Sequence, residues 1–105
     1  MKIFSTDIKD KKEFDRIGYH YTLVRADDEH HVYLYEMEKG NPYSQYELVK
    51  GKKHTNPDGE VVYVYPSDED FGVYGWYICG PKKKCLEEIE RRWLNLTGGG
   101  EQITS

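Results

Sequence analysis

Five runs leave few folds open to this chain. They are YHYTLVRA (19–26), HVYLYEME (31–38), YSQYELVKGKK (43–53), EVVYVYP (60–66) and VYGWYIC (73–79). Each is short, rich in aromatic and β-branched residues, and bounded by polar, Gly or Pro turns, which is the signature of strands rather than helices. DDEH joins the first two runs as a polar hairpin turn, and KGNP interrupts the pattern because Pro42 removes a backbone donor. NPDG at 56–59 is a strong turn signal: Pro sets one turn dihedral and Gly supplies the positive one. The expectation is an antiparallel meander of four or five strands.

Two helices are expected around it. In PKKKCLEEIERRWLNL, Pro81 suits a first helical turn, and Leu86, Ile89, Trp93 and Leu96 recur at helical spacing with Cys85 on their flank. Glu87 with Arg91 and Glu88 with Arg92 form i,i+4 pairs on the wet side. Gly98–Gly100 stop the helix, and EQITS reads as a flexible tail. Near the start, DKKEFDRIG reads as a short helix with Asp10 and Glu13 in capping-box spacing, Phe14 and Ile17 facing the core, and Gly18 as its stop. The fold class is therefore α+β, with the C-terminal amphipathic helix on one sheet face and a short N-terminal helix at or beside an edge. Residues 1–97 form a single domain and 98–105 the tail. Tyr74, Trp76 and Ile78 are expected to share one face and meet the helix stripe.

One helix covers only part of such a sheet, yet the chain has ten Tyr residues. The remaining rings form either a second small core under loops or a partner surface. The formal charge of −4 argues weakly against whole-surface attraction to nucleic acid. MKIFSTDIKDKKEFD lacks the apolar run of a signal peptide, no run reaches membrane-spanning length, and two cysteines are too few for a disulfide framework. A cytoplasmic, reduced protein with no membrane association is expected.

Four constellations invite a chemical reading, and each has a simpler structural one. Asp68, Glu69 and Asp70 are oxygen ligands of the kind hard cations use, but the alternation of an EF-hand is missing. A tight turn is expected instead, bent by Pro66 and Gly72, capped by Ser67 or Asp68, and plugged into the core by Phe71. Asp27, Asp28, Glu29, His30 and His31 surround a hairpin tip that His20 could join. Adjacent His residues on a strand point to opposite faces, so a solvated turn is expected over a zinc site. Cys79 and Cys85 have five residues between them, outside zinc-knuckle spacing, and read as small core residues, although Cys85 at a helix start beside lysines could have a redox role.

Lys82, Lys83 and Lys84 are the anomaly, because they crowd the end of a helix where acids are preferred. With Lys52 and Lys53 they are candidate anion or nucleic-acid contacts, against a simpler reading as solvated surface. No phosphate-cradling loop, nucleophile elbow or HExxH occurs, so no catalytic residue, metal or cofactor is assigned and a non-enzyme is expected.

YEL (46–48), PSDEDFGVYGW (66–76) and the closing amphipathic helix resemble a group of small uncharacterised proteins from Bacteroides-type gut bacteria, their phages and mobile elements. The residues carrying the resemblance are Pro66, Asp70, Phe71, Gly72 and Trp76; the Ala usual before the Trp is Gly75 here. The resemblance implies an accessory cytoplasmic protein and brings no activity with it. The function expected first is a non-catalytic binding module that contacts a protein partner, or a second copy, through a Tyr-rich sheet face or a strand edge. Two alternatives stand beside it: a nucleic-acid binder using lysines 50–53 and 82–84, and a phage-derived inhibitor of a host defence system.

Overall fold

A computed structural model describes residues 4–16, 18–37 and 44–98. Elements in chain order are a 3₁₀ turn (Ile8–Asp10), β1 (Glu13–Arg16), β2 (Tyr19–Asp27), β3 (Val32–Met37), β4 (Ser44–Lys50), β5 (Lys52–Thr55), β6 (Val61–Val64), a second 3₁₀ turn (Asp68–Asp70), β7 (Gly75–Gly80) and α1 (Lys82–Leu96). An antiparallel five-stranded sheet runs in the order β1-β2-β3-β4-β7, and β5 and β6 pair separately as a two-stranded ribbon. The chain is α+β, as its strand and helix periodicities require.

Alternation on the central strands divides the core in two. Val32, Leu34, Tyr46, Leu48 and Ile78 face α1, where Cys85, Ile89 and Trp93 are buried. Trp76 and Leu96 pack at the margin of this core. The stripe of α1 thus runs from Cys85 through Ile89 to Trp93, four residues apart each time, and the expected Leu86 lies 45% exposed. Cys85 takes the core position because its small side chain allows the helix start to lie close to the sheet. Trp76 and Ile78 meet the helix as expected, whereas Tyr74 precedes the strand and lies beside the Lys52 ammonium group.

The opposite face carries Tyr21, Tyr33, Tyr35, Met37 and Val49, all buried. Their cover is irregular: Ile8 from the first 3₁₀ turn, Tyr63 and Tyr65 from the ribbon side, and Phe14 and Phe71. Phe14 stacks on Tyr21 at 4.7 Å between ring centroids and meets Tyr35 and Tyr65 edge-on. The surplus tyrosines therefore make a second core over much of this face. Two of the hydroxyls keep polar partners, Tyr35 donating to the Lys11 carbonyl at 2.6 Å and Tyr33 to Asp28 at 2.8 Å, while the Tyr65 hydroxyl is buried with none among the described residues.

Two local expectations are corrected by this packing. The stretch expected as an N-terminal helix is mostly strand β1, and the helical turn comes earlier, at Ile8–Asp10, where the Asp7 carboxylate accepts from the Lys9 N–H. An isolated helix this short is marginal. Pairing of β1 with β2 instead stacks Phe14 on its direct partner Tyr21. Gly18 lies in the β1–β2 turn with φ +84°, while Ile17 falls outside the described residues. The expected third strand is split at Gly51 into β4 and β5. A Cβ on Gly51 would lie 2.9 Å from Tyr63 Cβ and 3.1 Å from Ile8 Cγ2, so glycine lets the chain fold tightly over the tyrosine face.

A bulge in β2 adds a contact that alternation alone does not predict. Leu23 pairs with Tyr35, but Arg25 pairs with Leu34, so Val24 is the extra residue and Arg25 changes face. The Arg25 guanidinium consequently lies 4.1 Å from the Trp93 ring and pairs with Glu90. On the helix surface Glu88 pairs with Arg91 and Arg92, which holds its carboxyl below the usual range. Residues 38–43 and 99–105, including most of the expected tail, lie outside the described residues.

Candidate functional site

Much of the tyrosine face is roofed, but one part of it opens into a cleft of about 440 Å³ lined by Arg16, Tyr19, Met37, Glu47, Asp68, Phe71 and Tyr77. Its volume falls in the range of small-ligand sites. At its floor is Glu47, in the middle of β4, paired across the sheet with Tyr35 on one side and Tyr77 on the other. Glu47 is only 3% exposed. Burying a carboxylate is costly unless it is paired, and this one has two partners. Arg16 Nη1 donates to its Oε1 at 3.2 Å, and the Tyr21 hydroxyl donates to its Oε2 at 3.0 Å.

Burial pushes the Glu47 carboxyl above the usual range; the Tyr21 hydrogen bond and the Arg16 charge pull it back, and Asp68 adds a further push upward. Burial, with the Glu47 charge beside it, pushes the Tyr21 phenol up to about 12. Arg16 reaches the cleft from the end of β1 and also binds Asp68 in the second 3₁₀ turn. Its guanidinium lies 5.5 Å from the ring centres of both Tyr65 and Phe71.

The acidic loop folds as a turn whose Asp68 and Asp70 carboxylates are engaged. The Ser67 N–H and Oγ both donate to Asp70 Oδ2, and Lys52 donates to Asp70 Oδ1 at 3.1 Å. Lys52 and Ser67 hold the Asp70 carboxyl below its usual range. Pro66 is buried, Phe71 packs in the tyrosine-face core, and the Gly72 N–H donates to the Gly75 carbonyl. A Cβ on Gly75 would lie 2.9 Å from the Phe71 ring, so the missing side chain is what seats that ring. Glu69 is exposed.

The other candidates separate. Asp27 accepts from the His30 N–H and lies 3.1 Å from its Nδ1, and His31 stacks on Tyr63 at 3.5 Å. His20 lies at the other end of β2, beside Asp15 and Glu13. Glu29 is exposed in the turn. Among the described residues no three His, Cys, Asp or Glu side chains converge as a metal site would require. Cys79 is exposed on β7, and Cys85 is buried on the sheet-facing side of α1, where burial pushes its thiol up.

Lys82, Lys83 and Lys84 are exposed in the first turn of α1, while Lys52 and Lys53 lie on β5. Gly80, just before α1, faces Ser44 at one end of β4, and β5 follows the other end. The two lysine clusters are therefore roughly 20 Å apart along that strand. Among the described residues no helix is long and apolar enough to cross a membrane.

The two sheet edges are built differently. β1 is four residues long, and Glu13, Asp15 and Arg16 give it charges that discourage pairing with another chain. β7, GWYICG, has six residues and no charge. The Lys50 N–H donates to the Tyr74 carbonyl, whereas the Gly75 carbonyl accepts from Gly72 in the adjacent loop. By alternation, Trp76 and Ile78 direct their backbone at β4, and Tyr77 and Cys79 direct theirs outward. Among the described residues β7 pairs along its length only with β4, apart from a single bridge between Phe71 and Gly75 at its start, leaving the outer ladder open at Tyr77 and Cys79. Tyr77 is 50% exposed and belongs both to this edge and to the cleft.

Sequence reasoning did not single out Glu47 or Arg16. The available signal was a charged residue inside the apolar run YELV, on the same face as Val49 in a strand too central to be wet. Together the fold and this site define a small α+β domain with an open strand edge beside an aromatic cleft. Comparison of the chain with family models, with curated proteins and with solved structures gives no match.

Proposed function

We propose that this protein is a non-catalytic binding module that adds an extended segment of a partner protein, or of a second copy of itself, to the open edge of β7. The observation that carries this reading is the uncharged β7 edge, with outward backbone groups at Tyr77 and Cys79. Strand addition draws affinity from main-chain hydrogen bonds and specificity from pockets for alternate side chains. The edge supplies the first and the adjoining cleft the second. The tyrosine face contributes only where it is open, since Tyr21, Tyr33 and Tyr35 are buried.

The strand-edge reading is preferred to nucleic-acid binding because lysines 52–53 and 82–84 do not form one continuous basic track. A cytoplasmic, accessory role, with a host-defence protein as one class of partner, is the setting that the PSDEDFG resemblance suggests for the same edge.

The test combines light scattering over a concentration range with selection from a library of displayed extended peptides. Cys79→Pro removes an outward N–H without touching the bonds to β4, so the fold should survive. Self-association or selected-peptide binding should be lost in that variant. A monomer at every concentration that selects no peptide, or peptides indifferent to Cys79→Pro, would overturn the reading.

A further inference from the structure

We infer that the cleft beside β7 is a receptor for one cationic side chain, the guanidinium of Arg or the ammonium of Lys, carried by the segment that pairs with the edge. Its identity as a partner's side chain rests on the strand-edge reading; its chemistry rests on the cleft itself.

Charge is the first argument. Among the described residues two carboxylates, Glu47 and Asp68, line the cleft against a single guanidinium, that of Arg16, which leaves one negative charge. Lys52 is engaged with Asp70, and the Lys11 ammonium lies 4.4 Å from the Phe14 ring centre, outside the lining. Each carboxylate oxygen can accept two hydrogen bonds. Asp68 is 86% exposed, so it can accept from a second cation, while Glu47, buried and bonded on each oxygen, contributes its charge from beneath.

The walls are the second argument. Tyr19, Phe71 and Tyr77 present aromatic groups to the cleft and Met37 a polarizable one, the lining that favours organic cations over hydrated ones. Arg16 shows that Phe71 accepts a guanidinium: its head lies against that ring while binding both carboxylates. An anionic guest would meet two carboxylates and an arginine already committed to them.

Position is the third argument. Tyr77 stands on β7 and lines the cleft, so a strand laid along that edge would send alternate side chains toward the opening.

The experiment titrates the wild-type protein with N-acetyl-arginine amide and agmatine, using N-acetyl-citrulline amide as the uncharged isostere, and follows Tyr19, Met37, Phe71 and Tyr77 by NMR. The cations should produce saturable shifts at those residues, with affinity about tenfold above citrulline, the size of a charge-assisted hydrogen bond. Asp68→Asn, at an exposed position, should weaken the cations several-fold and leave citrulline unchanged. No saturable shift, or equal binding of citrulline, would overturn the inference.

The same titration on Cys79→Pro separates the two proposals. Cation binding that persists in Cys79→Pro, together with a wild-type protein that neither self-associates nor selects a peptide, supports the cleft and sinks the strand-edge function. Peptides that pair with the edge with no preference for Arg or Lys support that function and sink the cation receptor.

Discussion

The two faces of the sheet are closed in opposite ways. Against one lies a single regular element, α1, and the core beneath it is largely aliphatic, with Leu34, Leu48, Ile78, Ile89 and Trp93. Against the other lie a 3₁₀ turn, a ribbon and single aromatic residues, and the space beneath them holds tyrosine hydroxyls and a buried carboxylate. The first closure rests on area removed from water. The second depends in addition on each buried polar atom having a partner, a condition that Glu47 meets only through Arg16 and Tyr21. Neither closure is complete: a cleft of about 640 Å³ lies between β7 and α1, and the irregular cover leaves open the part of its own face where Glu47 sits.

The largest effect that would expose this contrast is on the helix side. Trp93→Ala should remove about 3–5 kcal/mol, the cost of deleting a buried aromatic ring, because Trp93 is 6% exposed in that core and carries Arg25 on its ring. Urea denaturation should show one cooperative transition at a much lower midpoint. A loss below 1 kcal/mol would mean that α1 is not the main cover of its face.

The next effect belongs to the tyrosine face alone and appears at high pH. Tyr21 has its phenol raised from 10.0 to about 12 in the folded chain. The unfolded chain therefore loses that proton first, and the stabilisation is complete below pH 10 and disappears as pH rises toward 12. Over two pH units this amounts to roughly 3 kcal/mol for Tyr21. Burial raises Tyr33 and Tyr35 as well, in the same direction. Denaturation midpoints measured across the alkaline range should fall steeply, together with a late rise in tyrosinate absorbance, and Tyr21→Phe should flatten part of that fall. Ionisation of all tyrosines at their ordinary value with the fold intact would contradict the burial described here.

A smaller effect tests how the irregular cover is seated. Gly51→Ala puts a methyl against Tyr63 and Ile8, and overpacking of this kind costs about 1–3 kcal/mol. Amide exchange should quicken in β5, β6 and the first 3₁₀ turn and stay unchanged in α1. Uniform quickening over the whole chain would show that the two faces are not separable.

Most elements were legible locally. The NPDG turn, the alternation of 19–26 and 31–38, and the helical stripe of 82–96 are each decided by neighbours a few residues apart. The short start was not legible, since Asp10 and Glu13 have helix-capping spacing while Phe14 and Arg16 have strand spacing. The choice fell to Tyr21, with which Phe14 pairs across the β1–β2 hairpin.

Similarly, YELV reads as a strand whichever way it faces. Only the arrival of Arg16, 31 positions earlier in the chain, and of Tyr21, 26 positions earlier, makes room for the charge of Glu47. The sequence by itself determined β2, β3, β6, β7, the C-terminal helix and the antiparallel α+β class, because period and turn chemistry are short-range. Tertiary structure decided which edge stayed open, how the surplus tyrosines were covered and where the cleft formed, because those outcomes depend on contacts between residues distant in the chain.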